Sequence, residues 1–214
     1  MKSIWLRWLI NSTIGQFLAV VLAVALARWY FIHYGEPGKI SGKIIFLSVM
    51  LLAGVLQGTI IAVFQWPIIK SKFDKLPLHK WWRATVSVTL LIWFIGMLPA
   101  LYVPLDPEIN KPEVLPLPRT IMMISAILGM AIGFLFGWFQ WLPLKRYACN
   151  AGRWIWTTAL SWTAANVWTG VAYLYWYQRE STAETIGFSL ACAFLLSLSI
   201  SLISGWGLKG LRGK

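Results

Sequence analysis

Acidic residues are scarce in this chain: seven Asp and Glu stand against 19 Lys and Arg in 214 residues. None of the seven falls inside a long apolar run; all sit in connecting segments or at helix ends. Carriers that couple transport to protons or sodium keep ionisable groups at membrane depth, so this absence argues against ion-coupled transport. Histidine is sparser still. His33 and His79 both fall at loops on opposite sides of the expected membrane. That placement excludes a haem held between two mid-membrane histidines, and leaves His33 as either a single axial ligand near the outer face or a solvated ring. The two cysteines, Cys149 in a loop and Cys192 mid-helix, lie at different depths, so no disulfide joins them, and neither has metal-ligating neighbours. No nucleophile–base pair, metal cluster or phosphate-binding loop can be read in the sequence, and a non-enzymatic role is expected.

What the chain has instead is apolar length. Hydrophobic residues make up 58% of it and charged residues 12%. Crossing a bilayer takes about 20 apolar residues per helix, and six runs qualify: 10–32, 44–66, 82–103, 120–141, 154–177 and 185–206. Transmembrane strands would be shorter and alternate in polarity; these runs are continuous. The expected fold is all-α, a single integral membrane domain over 1–214 with six transmembrane helices. Basic residues before the first run and Ala25-Leu26-Ala27 within it resemble a secretory leader; the segment is read as a retained helix.

Charge placement predicts orientation. With the N-terminus in the cytoplasm, the inner side holds Lys2, Arg7, the Lys70–Arg83 and Lys145–Arg153 loops and the Lys209–Lys214 tail, which is most of the Lys and Arg. Arg28, Lys39, Lys43, Lys111, Arg119 and Arg179 remain outside. The positive-inside rule then places both termini in the cytoplasm. The net charge of +12 becomes largely a collar suited to anionic headgroups. Nucleic acid is not an expected partner, because no separate basic domain or binding motif is present. Half of the ten prolines fall in Tyr102–Pro118, which predicts an extended outer loop, and Ser181-x-x-Glu184 predicts a capping box that starts a helix near Thr182.

The chain also repeats itself. Gly54, Gly58, Gln65 and Trp66 recur at a constant offset as Gly129, Gly133, Gln140 and Trp141, within identical Phe-Gln-Trp triplets, and Lys70 and Lys145 follow at the same step. Gly54, Gly58 and Ala62 share one helix face, as do Gly129, Gly133 and Gly137, and small residues there permit close helix approach. The sixth run carries a worn copy, with Ala193, Ser197, Ser201, Ser204 and Lys209 at corresponding spacings. The odd-numbered helices begin alike, at Trp8-Leu-Ile-Asn-Ser-Thr, Trp81-Trp-Arg-Ala-Thr and Trp154-Ile-Trp-Thr-Thr-Ala. This predicts a duplicated hairpin, with a third unit split between helix 6 and helix 1 and a pseudo-threefold ring about the membrane normal. A parallel repeat of this kind differs from the inverted repeat of many secondary transporters.

Gln140-Trp141-Leu142-Pro143-Leu144-Lys145-Arg146, followed by Gly152-Arg153-Trp154, resembles the repeat of a group of uncharacterised bacterial multi-span membrane proteins. That repeat runs Gly-Leu-x-Gln-Trp-Leu-Val-Leu-Arg-Arg, then a short loop and Gly-Trp-Trp. Gln65–Arg83 matches it more loosely. The resemblance spans most of the chain. It implies membrane class, repeat architecture and a cyanobacterial or filamentous-phototroph setting.

Gln65 and Gln140 have two readings: interhelical clasps reaching the start of the next helix, at Thr85 or Thr157, or carbonyl ligands for a headgroup, an ion or a pigment metal. Gln57 and Asn166 add polar contacts of the same kind. Of the 15 tryptophans, Trp5, Trp8, Trp66, Trp81, Trp82, Trp141, Trp154, Trp156, Trp176 and Trp206 are expected in interfacial belts. Trp93, Trp138, Trp162 and Trp168 lie deeper, packed between helices or lining a site for a flat ligand. Lys70, Lys72, Lys75, Lys145 and Arg146 are expected against anionic lipid or an acidic partner, with Phe73, Leu76 and Leu78 dipping into the interface. The expected function is an accessory or scaffold component that packs against lipid, a hydrophobic ligand or other subunits of a membrane complex. Two alternatives stand beside it, a channel for a small neutral solute and a pigment-binding subunit of a photosynthetic assembly. No cofactor is required by the sequence.

Overall fold

The computed structural model describes residues 3–35, 40–102, 117–177 and 182–214. The proline-rich stretch 103–116, the cap residue Ser181 and the cations Lys2, Lys39, Lys111 and Arg179 lie outside them. Six helices account for nearly all described residues: α1 (Ile4–Tyr34), α2 (Ile40–Lys72), α3 (Leu78–Tyr102), α4 (Pro118–Leu144), α5 (Gly152–Tyr177) and α6 (Thr182–Gly210). Ser3 caps α1 by accepting from the Leu6 N–H at 3.2 Å, and Gly35 ends it at φ 64, a conformation that favours glycine. Pro118 opens α4 at its first turn, where its missing N–H costs no helical bond.

The helices run 25 to 33 residues. At about 1.5 Å per residue they exceed a hydrocarbon core of roughly 30 Å. The excess lies largely at one end. Lys70, Lys72, Lys80 and Arg83, expected in a loop, are helical, and residues 73–77 alone connect α2 to α3. Likewise only 145–151 separate α4 from α5. Hydrophobic runs underestimate these helices because basic residues extend them past the apolar boundary.

Each helix packs against its two neighbours in sequence, and α6 packs back on α1, so the bundle closes as a ring. The fullest seam joins α4 to α5 and the sparsest joins α3 to α4. Both termini lie at one end, here called the basal end, together with the 73–77 and 145–151 connections. Backbone bonds stitch this end together: Cys149 N–H to Arg212 O at 2.9 Å and Lys214 N–H to Tyr147 O at 3.0 Å, around an isolated Ala148–Gly213 bridge. Lys72 Nζ donates to Leu208 O at 2.7 Å, placing a cation at the negative end of α6.

Among the described residues five helices are long and apolar enough to cross a membrane: α1, α2, α3, α4 and α6. The outward faces are apolar, with Val24 61%, Ile127 65% and Leu160 54% exposed. The interior carries Ser12, Gln65, Thr85, Gln140, Ser161 and Ser201. Apolar outward faces on helices of membrane-crossing length mark the chain as an integral membrane protein, and these polar residues are set within a largely apolar core. The remaining helix, α5, is of similar length but carries five tryptophans and three tyrosines, which lower its mean hydropathy. Thr158 and Ser161 are buried and so face the bundle rather than its surroundings.

Candidate functional site

The largest polar assembly sits inside the basal half of the ring. Trp8, Trp81 and Trp154, each in the first or second turn of an odd-numbered helix, are 0 to 1% exposed. Trp154 meets both others edge-on, at 5.6 Å from Trp8 and 6.2 Å from Trp81. These three rings, expected at a membrane interface, instead pack in the core. An indole can be buried there because the even-numbered helices bring acceptors to the same depth.

Gln140 is the hub. Its Oε1 accepts from Trp154 Nε1 at 3.0 Å, and its Nε2 donates to Thr85 Oγ1 at 3.1 Å and Gln65 Oε1 at 3.4 Å. Gln65 Nε2 in turn donates to Ser12 Oγ at 3.4 Å. Ser204 on α6 accepts from Trp8 Nε1 at 3.0 Å and donates to Ile200 O at 2.6 Å. Each of these even-helix residues is 2 to 4% exposed. Thr85, one of the two expected partners, is used; Thr157 is not, since its hydroxyl bonds Arg153 O and Trp154 O within α5.

Ser12, Thr85 and Thr158 each lie four residues past a buried tryptophan. Ser12 receives Gln65 and Thr85 receives Gln140. Thr158 Oγ1 is buried and has no partner. Trp81 Nε1 is also unpartnered, while the Gln65 carbonyl at the corresponding register accepts from Gln140. The shared register of these Ser and Thr residues was visible in the three helix starts. Gln16, buried with an unpartnered Oε1, had no such signal.

The glycine stripes bring backbones together. A Cβ on Gly133 would lie 2.6 Å from Thr158 O, one on Gly137 2.6 Å from Ile155 Cα, and one on Gly129 against Trp162 O. On α2, a Cβ at Gly58 would lie 2.8 Å from Val86 Cα, but at Gly54 the neighbour is the Trp93 ring, 2.8 Å away. Ala62 is fully buried in the basal core with Trp8, and Trp66 and Trp141 pack on that core from outside. On α6, Ser197 and Ser201 are buried and satisfied by carbonyls of their own helix.

The other expected residues scatter. Gln57 Oε1 accepts from Trp93 Nε1 at 2.6 Å, and Asn166 Nδ2 donates to Trp162 O in its own helix. Trp162 stacks on Phe136 at 4.8 Å, and Trp168 Nε1 donates to Ser199 Oγ. Trp138, expected between helices, is exposed beside Phe134 and Trp141, because its position on α4 faces away from the ring. Phe73 and Leu76, expected at a membrane surface, are buried in the basal core beneath the helices; Leu78 is exposed. Lys72 is committed to the α6 terminus, and Lys145 lies 4.4 Å over the Trp141 ring. Lys70, Lys75 and Arg146 are exposed. His33 is exposed and its Nδ1 sits 2.9 Å from Trp29 O. Cys149 is exposed and Cys192 buried, both as free thiols. Among the described residues no group of His, Cys, Asp and Glu is placed to hold a metal ion.

Comparison with protein-family models, with curated proteins and with solved structures finds no match for this chain.

Proposed function

We propose that this protein is a non-enzymatic six-span accessory or scaffold component of a bacterial membrane, built from three related helix pairs closed into a ring. The pairs are α2–α3, α4–α5 and α6–α1. The observation that carries the reading is the hydrogen-bond chain Ser12–Gln65–Gln140–Trp154, with its counterpart Ser204–Trp8. The repeated polar residues are consumed in closing the ring. In a membrane such bonds are worth about 0.6–2 kcal/mol each, and a buried polar group without one is costly. The remaining surface is apolar and available to lipids or to other subunits.

The same geometry weighs against the two alternatives. A solute path along the axis would meet Trp8, Trp81 and Trp154 packed across it, and a pigment metal would find the Gln65 and Gln140 carbonyls already engaged. A crossing by α5 is favoured by its 26-residue length and by its place between α4 and α6. The basic basal end fits the cytoplasmic side.

Purification in mild detergent from native membranes tests the scaffold role. Stable co-purifying membrane subunits are expected, and none would overturn it; a visible absorbance band from bound pigment would favour the photosynthetic alternative. Labelling of cysteines placed at Lys75 and Asn110 tests the topology. Modification from opposite sides is expected, and modification of both from one side would overturn six spans.

A further inference from the structure

Where α5 begins, α6 ends and the first turn of α1 passes, the basal end carries an open-sided notch of 710 Å³. Arg153 and Lys209 line it, together with Trp5 and Trp206, and among the described residues no carboxylate does. The volume is that of a ligand site, commonly about 300–1,000 Å³. Arg153 lies against α6: a Cβ on Gly210 would lie 2.9 Å from its Cζ, so the glycine leaves room for the guanidinium. Trp5 Nε1 is buried without a partner.

A second notch repeats the design. Between α3 and α4 lies a cavity of 370 Å³ lined by Lys80, Arg83 and Arg146, again without a carboxylate. The two share register. Lys80 and Arg153 each immediately precede a buried core tryptophan. Leu142 and Trp206 stand two residues past Gln140 and Ser204, and Arg146 and Gly210 stand six past. Two cationic recesses at equivalent seams between the related helix pairs are more than a diffuse basic collar.

We propose that both notches bind the phosphate of an anionic phospholipid from the leaflet at the basal end. A guanidinium with a neighbouring ammonium suits phosphate oxygens, because Arg presents paired N–H donors and Lys adds a point charge. Trp206, 71% exposed on the rim, gives the glycerol and upper acyl region an apolar and hydrogen-bonding surface. A zwitterionic lipid offers the same phosphate, but its ammonium would meet two cations with no carboxylate to receive it. The inference rests on the membrane reading of the bundle and adds to it a defined ligand class and two addresses.

The test is native mass spectrometry of the full chain released from bilayers of phosphatidylglycerol and phosphatidylcholine. Two retained phosphatidylglycerol molecules are expected, with phosphatidylcholine lost on activation. R153Q/K209Q should lose one, with an apparent affinity about tenfold lower or more at that site, and K80Q/R146Q should lose the other. K70Q/K75Q, which removes two charges from the same end outside both notches, should retain both lipids. Equal loss in K70Q/K75Q would reduce the effect to a general collar and overturn the proposal. Displacement by millimolar inorganic phosphate would assign the notches to a free anion and overturn it too. A protein that enters bilayers but shows no site-dependent retention sinks this inference alone; one that enters no bilayer sinks the membrane reading itself. Circular dichroism melting of each variant separates a lost site from a lost fold.

Discussion

On α4, all three stripe glycines lie against the backbone of α5; on α2, Gly54 lies against only the Trp93 side chain of α3. The two stripes are nearly identical in sequence. What differs is the partner. Opposite Gly133, α5 presents Thr158 O and Ala159 Cα, which no side chain holds away. Opposite Gly54, α3 presents the Trp93 side chain, whose Nε1 is bound to Gln57. The glutamines diverge in the same sense: Gln140 bonds three groups, whereas Gln65 bonds two and leaves Trp81 Nε1 unpartnered. A small-residue stripe therefore licenses close approach without imposing it, and the facing helix decides.

The sharpest way to break the comparison is to fill the stripes. Gly133→Val should destabilise the bundle by about 3 kcal/mol or more, because overpacking against backbone cannot be relieved by a rotamer change. Gly54→Ala should cost about 1 kcal/mol or less, since the Trp93 ring can shift. Unfolding in mixed detergent–SDS micelles measures both. Similar losses would mean that the α4–α5 seam is no more rigid than α2–α3.

A smaller difference should separate the glutamines. Gln140→Met keeps the volume but strands Trp154 Nε1 and frees Thr85 across the sparse α3–α4 seam. About 2–3 kcal/mol is expected, from the lost bonds and the orphaned indole. Gln65→Met removes two long bonds and strands no indole, for about 1 kcal/mol. The same micelle titration reads both. A larger loss for Gln65→Met would move the hub to α2.

Much of this was legible in the chain. The helices follow from apolar run length and the glycine stripes from step-of-four spacing; the need of a buried amide for a partner predicts a clasp to the start of the next helix, but Gln140 reaches back to Thr85 on α3 rather than forward to Thr157 on α5. The burial of Trp8, Trp81 and Trp154 was not. Tryptophan at a helix start near a basic loop fits an interfacial belt equally well; the arrival of Gln140 and Ser204 at the same depth across the ring supplies acceptors for the Trp154 and Trp8 N–H groups, while Trp81 is buried with none. The fate of Lys72 was hidden for a related reason: its acceptors, Leu208 O and Lys209 O, are backbone atoms far along the chain, which no side-chain pattern reveals. Phe73 and Leu76 were misplaced because an amphipathic basal segment can cover a bundle as readily as a bilayer.

The finest probe of the asymmetry is a pair of identical substitutions, Trp154→Phe and Trp81→Phe. Both rings are 0 to 1% exposed and lie in the same cluster, so the packing loss should be similar. The N–H groups are not equivalent. Trp154→Phe leaves Gln140 Oε1 without its 3.0 Å donor, whereas Trp81→Phe removes an N–H that had no acceptor. An unmet buried polar group costs about 1–3 kcal/mol. Trp154→Phe should therefore be the more destabilising by about 1 kcal/mol, with Trp81→Phe partly offset by the orphan it deletes. Equal losses would show that the indole bond contributes nothing net, and would leave backbone contact at the glycines as the one real difference between the two hairpins.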